Sequence, residues 1–296
     1  MKILIVANNL HHKNKCGLDM MLKYLKWEYK YGTISDIADY DTIYSPSISL
    51  DASQYPDKKF IFGPHFSVFP DNKLTQIKNI KRNAIYIQPS EWASDTWIKM
   101  GAEKYIPIET QPFPPDIVRF SPVRDAKRDK VFIYHKRRSP HELNAVIVFL
   151  DKHHVKYKLF DYVKRYDEKE YIETLHESKY GIVLDAHESQ GFAIEEALSC
   201  DVPLLVWNVR TMNQEHHSQY QSIPCTTIPY WDKRCGEFFY EENELEKTFN
   251  MFIDRLDTYE PRQYILDNLS VSKCADILNK NIKMREVIDR INFVVS

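Results

Sequence analysis

Residues Tyr180–Asn208 read YGIVLDAHESQGFAIEEALSCDVPLLVWN. Two apolar runs of strand length, Tyr180–Ala186 and Pro203–Asn208, bracket a segment with Ile194, Ala197 and Leu198 at helical spacing. The pattern predicts a strand, a helix packed on the sheet through that stripe, and a second strand. Strands with few polar interruptions suit a parallel sheet covered on both faces. In such sheets ligands settle beyond the carboxyl ends of the strands, against helix N-termini. Two acids stand in that region: Glu188 just before the helix and Glu196 in its second turn. At about 100° per residue, Glu196 points away from the sheet, roughly in line with Phe192. The plain alternative is that Glu188 caps the helix and Glu196 is solvated.

The same alternation extends outward. Lys130–Lys136 and Tyr157–Tyr162 read as strands, and Glu168–Ser178 as a helix. Ser139–His154 reads as a helix with a serine cap and proline at its first position. Towards the N-terminus, Lys2–Ala7, Asp41–Pro46, Lys58–Pro64 and Asn83–Pro89 read as strands. Gly17–Tyr29 and Ser90–Gly101 read as helices, the latter opening on an N-cap serine and closing on glycine. Five prolines between Pro107 and Pro122, then a charged stretch, mark a domain boundary. From Asn243 onward the pattern is mainly helical. The expectation is two doubly wound α/β domains, residues 1–120 and 121–296, the second ending in closing helices.

Composition narrows the function. The formal charge is −2, from 40 basic and 42 acidic residues, without the basic excess usual in nucleic-acid binders. Five scattered cysteines read as reduced thiols in a cytoplasmic protein. The opening apolar run, Ile3–Ala7, is too short for a signal sequence and fits a first strand. No G-x-G-x-x-G follows a strand, which counts against a dinucleotide oxidoreductase. Asp39-Tyr40-Asp41 has a D-x-D pattern but precedes a strand, and the pairs His11-His12, His153-His154 and His216-His217 lack a companion at metal-ligand spacing. No metal is expected. Peripheral membrane contact through a basic surface is left open; no amphipathic anchor stands out.

A cluster of cations ends another strand of the second domain, His135-Lys136-Arg137-Arg138. Charge runs are usually solvated, but this one lies at the ligand edge of the same sheet as Glu188. The free N–H groups where Gly191 and Phe192 open the helix favour an anion there too. Acids spaced for hydroxyls and cations for phosphates together suggest a nucleotide-sugar site.

Glu188 and Glu196 enclose seven residues. The segment ESQGFAIEEALSCDVPLLV resembles the E-x7-E signature of retaining glycosyltransferases of the GT-B fold, family 4 in particular. Ser90–Pro122, with its final R-F-x-P, resembles the end of that family's first domain, and ENELEKTFNMFIDRL and EPRQYILDNLSVSKCADIL its closing helices. The resemblance covers most of residues 83–280. It implies two Rossmann-like domains facing a central cleft, with the donor on the second and the acceptor, a glycan, lipid or glycoprotein, on the first. It implies that Glu196 holds donor ribose hydroxyls and that Glu188 contacts the transferred sugar. Gln190, Gly191 and Phe192 would bind the donor beside it. Lys136, Arg137 and Arg138 take the place of diphosphate-binding cations, Lys136 and Arg138 with a catalytic role. His65, after a strand of the first domain, takes the place of a histidine near the reacting sugar, and Tyr162 is a candidate base contact. No cofactor is implied beyond the nucleotide sugar itself. A non-catalytic sugar-nucleotide-binding partner subunit is the alternative; a sugar-nucleotide epimerase of the same fold is a further one.

Overall fold

The computed structural model describes residues 1–7, 9–70, 83–164 and 166–294, with side chains up to residue 283. Two compact units form, Met1–Pro114 with Val271–Ser296, and Pro115–Ser270. The first division falls inside the proline-rich stretch, as its stiffness requires. The tail departs from the expected boundaries of 1–120 and 121–296. The last helix belongs to the first unit.

The first unit is a six-stranded parallel sheet: β1 Lys2–Ile5, β2 Glu28–Tyr31, β3 Thr42–Ser45, β4 Lys59–Phe62, β5 Ala84–Gln88 and β6 Ile108–Thr110. Their spatial order is β2-β1-β3-β4-β5-β6. Every residue of β3 and β5 is buried, which is why these runs are apolar. Helix α1 spans His12–Tyr24 and α2 Glu91–Lys99. The sequence predicts α1 at Gly17–Tyr29; it begins and ends five residues earlier, and Glu28–Tyr31 is an edge strand instead. The stop signal is Lys26, at φ 55°. Its amide bonds to Lys23 O (3.1 Å) and that of Trp27 to Leu22 O (3.1 Å), a Schellman close that glycine usually makes. The last helix of the chain, Val271–Val294, packs on α1 and receives Gln111, whose Nε2 donates to Cys274 O at 3.0 Å.

The second unit comprises β7 Lys130–Lys136, α3 Pro140–Lys152, β8 Lys158–Asp161, α4 Glu168–Glu177, β9 Ser178–Asp185, α5 Phe192–Ser199, β10 Leu204–Trp207, β11 Gly236–Phe239, α6 Leu245–Asp254 and α7 Pro261–Asn268. That leaves Val271–Val294 as α8. The strands run parallel in the order β11-β10-β9-β7-β8. The chain goes from β7 outward to β8 and then returns to the other side of β7, so β7 and β9 flank a topological switch point.

One face of this sheet buries Ile133, Ile182, Leu184 and Leu205 with Val146 and Leu150 of α3 and Phe249 and Phe252 of α6. The other carries an aromatic cluster, in which Phe132 meets Tyr171 edge-on at 5.9 Å and Tyr134 meets Tyr166 at 5.9 Å. Gly181 of β9 makes room for it, since a Cβ there would fall 2.2 Å from the Phe132 ring. Ser139 caps α3 by accepting from His141 N (3.2 Å), while Glu142 accepts from Ser139 N (3.0 Å). Among the described residues no helix is long and apolar enough to cross a membrane.

Candidate functional site

Parallel register pairs Lys136, the last residue of β7, with Asp185, the last of β9. The two therefore stand side by side at the switch point. The Lys136 ammonium is ion-paired to Glu188, lies 3.6 Å from Asp185 Oδ2, and sits 4.8 Å from the centre of the Tyr162 ring. Asp185 is 1% exposed, and burial raises its carboxyl above the usual range, against the pull of Lys136.

Arg137 departs from ordinary strand geometry, with φ at 54°. This left-handed turn, held by a bond from His216 N to Arg137 O at 2.8 Å, keeps its side chain exposed, with Nη1 3.7 Å from Glu215. Arg138 follows the turn. Its side chain is fully buried, Nε and Nη2 bond both oxygens of Glu142 (2.9 and 2.5 Å), and Nη1 bonds Asp185 O (3.2 Å) and Trp207 O (2.7 Å). Arg138, for which a catalytic contact is expected, is engaged inward here and ties the ends of β7, β9 and β10 together.

Between β9 and α5 the backbone turns at Gly191, φ 84°, which ends the loop and opens α5. A Cβ there would meet nothing closer than 3.7 Å, so backbone conformation and not space calls for glycine. Phe192 opens the helix, partly exposed. Gln190 turns inward instead, donating to Glu195 Oε1 at 2.6 Å.

Glu196 is 3% exposed, so it is not a solvated helix residue. Its carboxylate lies near two phenols of the aromatic cluster. Tyr166 is pushed up to about 12 by burial and, in part, by Glu196; Tyr171 rises through burial first and then through Tyr166 and Glu196.

A long connection covers the edge. Asn208 Oδ1 accepts from Thr227 N (2.8 Å) and Thr226 Oγ1 (3.0 Å), Thr227 Oγ1 donates to Ala186 O (2.7 Å), and Glu188 N donates to Thr226 O (3.0 Å). Glu215 from this connection also approaches His187, Oε2 to Nδ1 3.4 Å. Burial, aided by Arg137 and Lys136, lowers His187 to about 4.

A histidine depressed in the folded state binds fewer protons there than in the unfolded chain between about pH 6.5 and 4, so its stabilising contribution is complete above that window and is lost on acidification. At about 1.4 kcal/mol per unit, the loss reaches roughly 3 kcal/mol. His187→Gln is expected to lose less stability than the native protein in urea melts between pH 7 and 4. Parallel curves for the two would contradict the assignment.

The edge thus brings together Lys136, Arg137, Tyr162, Glu188 and Gly191, with Glu196 one turn into α5. Arg138 and Gln190 face inward. His65 lies in the first unit, after β4, with burial lowering its imidazole pKa. The sequence reading passed over Asp185, His187 and Glu215; the strand-end position of Asp185 in IVLD was the signal for the first, while nothing local marks Glu215. Asp39 and Asp41 stand at the amino end of β3, away from the ligand edge. Among the described residues no cluster of three or more His, Cys, Asp or Glu is arranged to hold a metal.

No family model and no curated protein matches the chain. Solved structures do. Sucrose-phosphate synthase from Thermosynechococcus elongatus aligns over 100% of both chains with a TM-score of 0.58 at 11% identity. The lipopolysaccharide outer core galactosyltransferase WaaB, in its apo form, aligns over 96% of this chain and 100% of its own, with a TM-score of 0.57 at 10% identity. UDP-GlcNAc 2-epimerase from Neisseria meningitidis, bound to UDP-GlcNAc, aligns over 96% and 100%, with a TM-score of 0.52 at 11% identity. At such identities the likeness is one of fold, and the fold is GT-B: two parallel-sheet, Rossmann-like α/β domains.

Proposed function

We propose that the protein is a retaining glycosyltransferase that moves a sugar from a nucleoside-diphosphate sugar to an acceptor hydroxyl. The observation that carries this reading is the meeting of Lys136 and Asp185 at a switch point, with Glu188 and the N-terminus of α5 beside them. A diphosphate at this edge is met by Lys136, Arg137 and the first amides of α5, and no metal is needed to balance its charge. Glu196 accepts from ribose hydroxyls, Glu188 from the transferred sugar, and Tyr162 borders the base.

Glu188 and Asp185 are both engaged by Lys136, which makes them poor nucleophiles. Attack then comes from the acceptor oxygen on the face that the diphosphate leaves. The anomeric C–O bond breaks with its electron pair going to the β-phosphate oxygen, the acceptor oxygen forms the new bond, and its proton passes to the departing phosphate. Cations fixed beforehand at that oxygen stabilise the charge as it develops.

A thermal-shift panel of UDP-, GDP- and ADP-sugars tests donor binding. A binder at a hundredfold excess over Kd stabilises the fold by about 2.7 kcal/mol. Release of nucleoside diphosphate with pooled glycan acceptors then tests transfer. Binding without release sinks the enzyme reading, and donor isomerisation without acceptor turns it into an epimerase. Glu196→Gln keeps the shape but loses a charge-assisted acceptor, so donor affinity is expected to fall about 10- to 100-fold with Tm little changed. Unchanged affinity would remove Glu196 from the site.

A further inference from the structure

Helix α3 is apolar around its whole girth. In LNAVIVFL, residues 143–150, only Asn144 is polar. Val146 and Leu150 are buried against the sheet, as a single apolar stripe would require. The opposite side is apolar as well: Val148 is 58% exposed, and Ala145 and Phe149 are half-buried. A helix apolar on both sides is ordinarily covered on both.

Beside this outer side runs an open groove of about 420 Å³. Its second wall is the turn Glu242–Glu244 and the start of α6, with Leu245 and Glu246. On α3 the groove is lined by His141, Ala145, Val148 and Lys152, and their spacing of four, three and four residues is that of a seam packed on another helix. The seam is apolar at its centre and basic at its ends. Acids stand opposite those ends: Glu242 lies 3.8 Å from His141 Nδ1, and Glu246 lies 3.9 Å from the Lys152 ammonium. All four charged or titratable side chains are more than half exposed, so these pairs contribute little within one chain.

The arrangement of charge selects the occupant. A surface that binds its own copy must be self-complementary about a two-fold axis. When that axis lies along the groove, each wall meets the opposite wall of the second copy. Because His141 and Lys152 already stand across from Glu242 and Glu246, the same axis sets basic wall against acidic wall in both directions. A partner of one charge sign would be repelled by one wall.

We propose that this face of the second unit is the interface of a two-fold homodimer, with the groove between α3 and α6 at its centre. Ala145 and Val148 form the apolar contact, while Lys152 and Glu246 set the register. None of these residues belongs to the donor edge, so the inference stands apart from the transfer reading.

Sedimentation velocity on the full chain, from low to high micromolar concentration, tests it. The native protein is expected to pass from monomer to a species of twice the mass. Val148→Asp buries a carboxylate without a partner and should weaken association about 30-fold or more, with Tm unchanged because the position is exposed in the monomer. Lys152→Glu and Glu246→Lys each set like charges against one another across the axis, and each should weaken association alone. An equimolar mixture of these two variants should recover it, since opposite charges then meet between chains. A monomer at every concentration, association untouched by Val148→Asp, or a mixture no tighter than its separate components would overturn the proposal.

Discussion

Lys136→Ala is expected to abolish donor use while leaving the fold intact. The ammonium balances Glu188 and Asp185. Without it, two carboxylates face an incoming diphosphate, and repulsion adds to the loss of the cation's own attraction. Removing one preorganised group that meets developing charge typically lowers turnover about 10²- to 10³-fold, and the added repulsion places this variant at or beyond the upper end. Thermal shift with nucleoside diphosphates should vanish in parallel. Stability is expected to change by less, because Asp185 can take up a proton, as its raised pKa already favours. Near-native turnover with Lys136→Ala would place the chemistry elsewhere.

Arg138→Met should act in the opposite manner, damaging the fold before the chemistry. The guanidinium satisfies two backbone carbonyls at strand ends and both oxygens of Glu142, and lies 5.5 Å from the Trp207 ring. Methionine fills much of the space but leaves these acceptors without donors. Breaking a buried charge pair from one side costs about 3–5 kcal/mol. Glu142 keeps its bond from Ser139 N, so the double variant Arg138→Met, Glu142→Gln should recover part of that loss. Urea denaturation reads both. A single-variant loss below about 1 kcal/mol, or activity lost at full stability, would mean that Arg138 faces the ligand after all.

The parallel strands were legible because burial on both faces leaves unbroken apolar runs, as in KILIVA and YGIVLDA. β2 was not, since EYKY at a sheet edge alternates with solvent and carries charges that suit the end of a helix equally well. The close of α1 escaped for a local reason: Lys26 adopts a backbone conformation for which sequence reading looks to glycine. The return of α8 to the first unit depends on packing against α1, to which no local pattern points. At the site, the cluster HKRR was visible but its division of labour was not. Only the fold decides that Lys136 meets the carboxylates of Glu188 and Asp185 while Arg138 is buried against Glu142 and two strand-end carbonyls. Glu215 reaches His187 and Arg137 from a distant irregular connection, beyond what spacing rules detect.

The central claim is that a sugar diphosphate sits at the carboxyl ends of β7 and β9, against the start of α5. Amide hydrogen exchange with and without UDP, GDP and ADP reads this directly. The account predicts that one of them slows exchange in residues 136–138 and 188–194 and leaves the amino ends of the same strands unchanged. Protection confined to other segments, with residues 188–194 exchanging at the ligand-free rate under a nucleotide that raises Tm, would contradict it.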